Sequence, residues 1–569
     1  MKNIFKITVI SFAWMMISCD DYLDRNPLDD ITEVEFYKTA QDLETAVNSF
    51  YGDLPLQRWQ GAGNGFAGIP DNNSDLLIGE FATNRFLGFY TTPTDATNAI
   101  WSWDEVREIN FYLSKVNEAE GDQSDLNQYT GEGYFFRAYY YFDLLKDYGD
   151  LPIIDTYITD ADEEYLYKAR DPRNEVVDFI LSDLNTAIGL LGSYPDVAEQ
   201  RINKELAMAL KARIALYEGT WEKYHSGTVF GVDGSDGSSY LQIAADAAKE
   251  VMDSGIFRLH GDYGSLFNQT DLSGNSEVLL WRQYDYIGLN IGNDLQIGWP
   301  NKSSYTKFAL ESYLSIDGDP ISVSPLFEGD DDLSTIENNR DPRLAATIMV
   351  PGDTVRINSD GSVELFVAPV ITGQNAASTG YESQKYRDPN IEESSNQFTR
   401  NTSKIIMRYA ELLLIYAEAK AELGTLSQSD LDISINLLRS RAGMPALEMA
   451  TIVTDPMWPD YGYTLSNVLY EIRRERSVEL IGEGFRLDDL FRWRAHELIN
   501  SGLPKGAYFY DGHIETMASE SEVSLDANGY LDPFQSDGSY NFDPEKAYLT
   551  GIPSNEIILN PNLEQNPGW

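Results

Sequence analysis

"NKELAMALKARIALYEG" (residues 203–219) and "YLQIAADAAKEVMDSG" (240–255) decide the fold. In both, alanines and large apolar residues recur every three to four positions, the spacing of one face of an α-helix. They read as an antiparallel helix pair. "SKIIMRYAELLLIYAEAKAELG" (403–424) and "LDISINLLRSRAG" (431–443) read as another. Helix pairs of this kind stack into tetratricopeptide-like solenoids. The fold class expected is mainly α, a tetratricopeptide-like helical-pair scaffold whose long irregular loops and few short strands form a ligand face.

Working outward, helical periodicity returns over residues 42–54, 103–118 and 131–149, where Gly149 and Pro152 supply a stop signal. "PRNEVVDFILSDLNTAIGLL" places Val176, Ile180, Leu184 and Ile188 at spacings of four. Between the helices lie stretches rich in Gly, Asn, Asp and Ser at 58–98, 229–239 and 257–400. Irregular connections of that length usually serve a function, so they read as the working surface. "SEVLLWRQY" and "VELFVAPVI" suggest minor strands within them. The expected divisions are 1–18, 19–256, 257–400 and 401–569, the last three forming one compact unit.

The N-terminus raises a separate question. Lys2 and Lys6 precede an apolar run, Ile7 to Ile17, which is too short for a membrane-spanning helix of roughly 20 residues. This is the layout of a secretory signal peptide. Cys19, the single cysteine of the chain, follows Met16, Ile17 and Ser18 as the acylated cysteine follows a bacterial lipobox. Cys19 is therefore expected to carry a lipid anchor. An exported chain without other thiols also avoids stray oxidation.

Composition narrows the function. A formal charge of −49 disfavours nucleic acid, whose phosphates need clustered Lys and Arg. The four histidines have no second histidine at ligand spacing, so no zinc or iron site is expected, and "GVDGSDGSS" lacks the oxygen spacing of a calcium loop. No cofactor fingerprint or nucleophile elbow occurs. The one catalytic temptation is "YEIRRERSVELIGEGFRLDDLFRW", in which Glu471, Glu475, Glu479 and Glu483 recur every four residues. Two carboxylates would suit a glycosidase. Arg474, Arg476 and Arg486 sit at helical ion-pair spacing from them, however, and neighbouring guanidinium groups keep carboxylates ionised, the opposite of what a general acid needs. No catalytic residue is assigned.

Loop aromatics carry more information. Trp59, Trp101, Trp281, Tyr284, Trp299 and Tyr305 are interleaved with Asp71, Asn72 and Arg282. Flat aromatics offer large contact area with few rotamers to freeze. Pyranose rings stack their C–H faces on such surfaces, and amides, carboxylates and guanidinium groups bind vicinal hydroxyls. These nine residues are the expected sugar-binding site.

Several segments together carry a family resemblance: "CDDYLDRNPLDDITEVEFY", "YTGEGYFFRAYYYFDLLKDYGDLPII", "KIIMRYAELLLIYAEAKAELG", "LLRSRAGMP", "RRERSVELIGEGFRLDDLFRW" and "LTGIPSNEIILNPNLEQNPGW". In this order they resemble the SusD/RagB family of Bacteroidetes nutrient-binding outer-membrane lipoproteins. The resemblance implies a non-enzymatic cell-surface receptor, anchored to the outer membrane by lipid. It would lid a SusC-type TonB-dependent transporter and pass it oligosaccharides, or in some branches peptides. A glycoside hydrolase and a helical-repeat adaptor are the other readings. The first needs two carboxylates with separated pKa values, the second a protein groove without an aromatic platform.

Overall fold

The first helix, α1 (Ala40–Phe50), starts at a capping box in which Thr39 and Asp42 satisfy each other's backbone N–H groups. The computed structural model describes residues 36–52, 54, 71–96, 101–285, 288, 303–373, 376–390, 401–509 and 522–569. Next come α2 (Asp104–Lys115) and α3 (Gln123–Tyr148), the latter capped by Asp122 and ended by Gly149 at φ 72°. They are followed by α4 (Arg173–Leu190), α5 (Lys204–His225) and α6 (Ser238–Asp253). Further along the chain lie α7 (Tyr409–Glu422), α8 (Ile435–Ala442), α9 (Asn467–Leu480) and α10 (Arg486–Arg492). No helix among the described residues is long and apolar enough to cross a membrane.

Of the two pairs anticipated from periodicity, α5 packs on α6 along its length and α7 meets α8 over a short contact; α3 also packs on α4, and α6 on α7. Alanine is the reason α5 and α6 approach so closely. Ala207, Ala212 and Ala215 of α5 and Ala244, Ala245 and Ala248 of α6 are all buried. At the hairpin end the backbones touch, and a Cβ on Gly237 would lie 1.9 Å from the Gly219 carbonyl oxygen. Gly237 also has φ 72°, so no other residue fits there without strain. Larger groups fill the space further along. The Trp221 ring stacks on His225 at 4.0 Å, and the Arg173 guanidinium lies 4.1 Å from the indole centroid. One apolar cluster runs from Leu43 to Leu563 and takes residues from both helical halves of the chain.

Three small antiparallel sheets sit beside this scaffold: β1 (Leu77–Ile78) with β3 (Ser304–Tyr305), β2 (Val278–Arg282) with β6 (Lys404–Arg408), and β4 (Thr354–Ile357) with β5 (Val363–Leu365). Strand β6 corrects one expectation. Periodicity predicts a continuous helix over residues 403–424, whereas the helix begins only at Tyr409. Ile405 and Ile406 are β-branched and short-run, a pattern that periodicity alone cannot separate from helix. Pairing with β2, with Trp281 opposite Ile405 and Arg282 opposite Lys404, decides it.

Candidate functional site

The carboxylate ladder lies on α9 and just beyond it, and it is a structural knot. Glu479, fully buried, accepts from Arg408 at 2.7 Å, Arg441 at 2.5 Å and Arg343 at 3.1 Å. Glu475 accepts from Arg343 and Arg439, and Glu483 from Arg408 and Lys385. Burial alone would raise the Glu479 carboxyl, but the charges of Arg441, Arg408 and Arg343 overcome it and hold the group far below the usual carboxylate range. Only Glu471–Arg474, of the pairs suggested by spacing, forms along the helix, while Arg486 and Arg476 reach Asp75 and Asp489 instead. A carboxylate so held cannot act as a general acid.

The turn at residues 71–75 grows out of this knot. Asp71, 7% exposed, accepts at its two oxygens from the backbone N–H groups of Gly482 and Arg486, both at 2.8 Å. Burial pushes its carboxyl up to about 6, against the pull of those donors. Asp75 receives Arg486 in a bidentate pair with both distances 2.7 Å. Asp71 and Asn73 have φ of 74° and 66°, a left-handed backbone that non-glycine residues hold only when their surroundings fix it. Between them Asn72 donates to Ser303 Oγ at 2.8 Å, and its carbonyl oxygen is buried with no hydrogen-bond partner among the described residues. Thr306 closes the arrangement by donating to the Asp75 carbonyl.

The structure therefore brings Asp71 and Asn72 together with the β3 strand that carries Tyr305. It does not bring the aromatic residues onto one face. Tyr305 is fully buried, its ring in the cluster around Tyr313 and Tyr381 and its hydroxyl beside Ser383. Trp281, 5% exposed, belongs to a different cluster with Phe267 and Val278. Trp101, 3% exposed, is wedged edge-on between Trp103 at 5.4 Å and Tyr148 at 4.8 Å in the main core. The physical reason is common to all three: each large ring lies beside the start or end of a regular element, where the nearest apolar cluster takes it. Arg282 and Tyr284 are half-buried at the end of β2, and Arg282 donates to the Tyr51 carbonyl at 3.0 Å. Trp59, Trp299 and Cys19 lie outside the described residues.

Sequence reading missed Lys404 and Ser303. Lys404 faces Arg282 across the sheet, and burial together with that cation pushes its amine down to about 6. Its position in an apolar run disguised it as part of a helix. Ser303 is an ordinary loop residue until Asn72 meets it, and no local signal marks it.

Trp101 also forms the floor of a separate cleft of about 450 Å³, between α2, residues 152–168 and residues 556–563.

Comparison with known proteins gives a consistent answer. A family model described as "SusD family" matches residues 265–569, and one described as "Starch-binding associating with outer membrane" matches residues 21–216. The chain is 26% identical to SusD-like protein P2 of Formosa agariphila over 99% of both chains, and 22% identical to a SusD-like protein of Bacteroides ovatus over half of each. Among solved structures, it resembles a SusD-like carbohydrate binding protein from Bacteroides fragilis with TM-score 0.73 and 22% identity, covering 93% of this chain and all of that one. A laminarin binding SusD-like protein gives TM-score 0.59 at 19% identity, covering 94% of this chain and all of that one.

Proposed function

The chain belongs to the SusD family, and from that premise we propose that it is a cell-surface receptor that captures neutral oligosaccharides without cleaving them. It hands them to a SusC-type TonB-dependent transporter and is held to the outer membrane by lipid on Cys19. The observation that carries the binding site is the turn at 71–75. Its strained backbone is locked to the α9–α10 junction, and it holds Asn72 with a buried carbonyl oxygen that has no partner among the described residues. Arg282, Tyr284 and Lys404 stand at the neighbouring strand ends, where the segments 286–302 and 391–400 join the scaffold. A rigid polar anchor, together with the aromatic ring of Tyr284 and the guanidinium of Arg282, suits a ligand rich in hydroxyls. The names of the relatives described as carbohydrate and laminarin binding support the same class. Binding without cleavage is supported by the guanidinium lock on every carboxylate of the ladder.

The test is calorimetry of the purified protein with a panel of neutral glucans, laminarin included. Alanine at Tyr284 should lower affinity about ten- to hundredfold, taking roughly 1–3 kcal/mol for a lost stacking ring. Asn72→Ala should lower it as well, and salt should change little because few charges are involved. Binding left intact in both variants would move the site elsewhere.

Anchoring is checked separately. Cys19→Ala should abolish palmitate labelling and leave the protein unprocessed or released from membranes, since stable attachment needs acyl chains at this residue. A variant that still fractionates wholly with outer membranes would refute the lipid role of Cys19.

A further inference from the structure

The 450 Å³ cleft floored by Trp101 is distinct from the turn at 71–75, and its chemistry differs. Val106, Ile154, Ile158 and Leu563 continue its floor and walls. At its mouth large apolar side chains stand in solvent: Leu166 is 43% exposed, Tyr167 47% and Leu559 68%. A concave apolar site continuous with an exposed apolar rim marks an interaction surface.

The polar groups inside are already committed. Asn110 donates to the Ile154 carbonyl and accepts from Arg137, and Asn560 donates to the Lys168 carbonyl and accepts from the Asn562 N–H. Few amides are left to read sugar hydroxyls. What remains unmatched is charge at the rim. Asp104, Asp160 and Glu556 line the cleft, and Asp162, Glu163 and Glu164 stand exposed beside it. Against them Lys168 is neutralised by Asp171 at 2.7 Å, and Arg107 is drawn aside, donating to the Tyr157 hydroxyl at 3.1 Å with its guanidinium 5.1 Å from that ring.

We propose that this cleft is a docking groove for a partner protein, and that it takes an exposed segment whose bulky apolar side chains are flanked by Lys or Arg. The apolar side chains fill the Trp101 floor and cover Leu559 and Leu166. The flanking cations meet the acidic rim, which steers association and rejects acidic segments of the same apolarity.

The probe is a synthetic peptide, KKLFLKK, titrated into the purified protein and compared with EELFLEE and KKSNSKK. KKLFLKK should bind saturably and more weakly as salt rises, with both comparison peptides at least tenfold weaker. Joint Tyr167→Ser and Leu559→Ser should weaken it about tenfold. Leu166→Ser should act in the same direction. Asp160→Asn with Glu556→Gln should flatten the salt dependence. All these side chains are at the surface, and melting curves check that each variant is folded. The inference is overturned if no peptide binds, if EELFLEE binds as well as KKLFLKK, or if the serine variants bind unchanged. Displacement of the peptide by laminarin oligosaccharide would overturn it too, by making the cleft a sugar site. Glucan binding at Tyr284 is read in a separate titration, so failure of one leaves the other standing.

Discussion

Glu479→Gln is expected to cost about 3–5 kcal/mol of stability, the usual penalty for removing one partner of a buried ion pair. Its carboxylate is fully buried and serves Arg343, Arg408 and Arg441 at once. The amide that replaces it turns an N–H₂ toward at least one guanidinium and leaves positive charge uncompensated in the core. Glu475→Gln, which loosens only Arg343 and Arg439, should cost less. Urea unfolding measures both. A lower midpoint at constant slope is the expected signature, since the slope reports the surface exposed. A cost under about 1 kcal/mol for Glu479→Gln would mean that the arginines re-pair without it. The same preparations test the enzymatic alternative: glycan cleavage by the parent protein, lost in either variant, would overturn the reading of binding without cleavage.

The second large effect is on acid stability. Four acidic groups, Glu418, Glu479, Glu483 and Asp489, are held below their ordinary values: burial opposes ionisation in each, and arginine charges outweigh it. A carboxyl depressed in the folded state adds stability that is present above its unfolded pKa and is lost as pH falls toward its folded one. All four losses run the same way, so unfolding free energy should fall as pH drops below about 4.5, the ordinary carboxylate range. Above that range, opposing groups partly cancel. Burial raises Asp71 and Asp147 to about 6, and Glu222 and Glu337 to about 7, so their protonation gains stability as pH falls from neutral. Burial lowers Lys404 to about 6 and His225 to about 3, and charging these in the core loses it again. Unfolding free energy should therefore hold or rise somewhat from pH 8 to pH 5 and then drop as pH falls through the carboxylate range. A gradual decline beginning at pH 7 would mean that His225 and Lys404 dominate and that the arginine knot contributes little.

The helical scaffold was legible because its signal is local. Alanine at helical spacing in α5 and α6 forces close packing whatever lies around it, and the structure has those helices touching at Gly219 and Gly237. The ladder's structural role was legible too, from the arginines at ion-pair spacing. Its partners were not. Arg343 and Arg408 come from 136 and 71 residues before Glu479. No spacing rule reaches that far, and a still longer separation, 411 residues, hid the docking of Asp71 onto the Gly482 amide. The aromatics failed for a different physical reason. A tryptophan in a loop segment gains most from the nearest apolar cluster. Trp101, Trp281 and Tyr305 each found one within their own neighbourhood, in three separate clusters. Arg282 and Tyr284 joined none of these clusters and kept part of their surface in solvent.

The anchored turn at 71–75 has a consequence for how specificity can change. Asp71 follows one long loop segment and Ser303 another, and the two are tied to each other through Asn72 and to the arginine knot through Gly482 and Arg486. Tyr51, just ahead of the first stretch, receives Arg282 from just ahead of the second. The joints are thus welded to the stiffest part of the molecule, and what lies between them can be exchanged without moving its ends. The two stretches, residues 55–70 and 286–302, transplanted together from a relative should carry its ligand preference onto this frame, whereas one transplanted alone meets a neighbour it did not evolve beside.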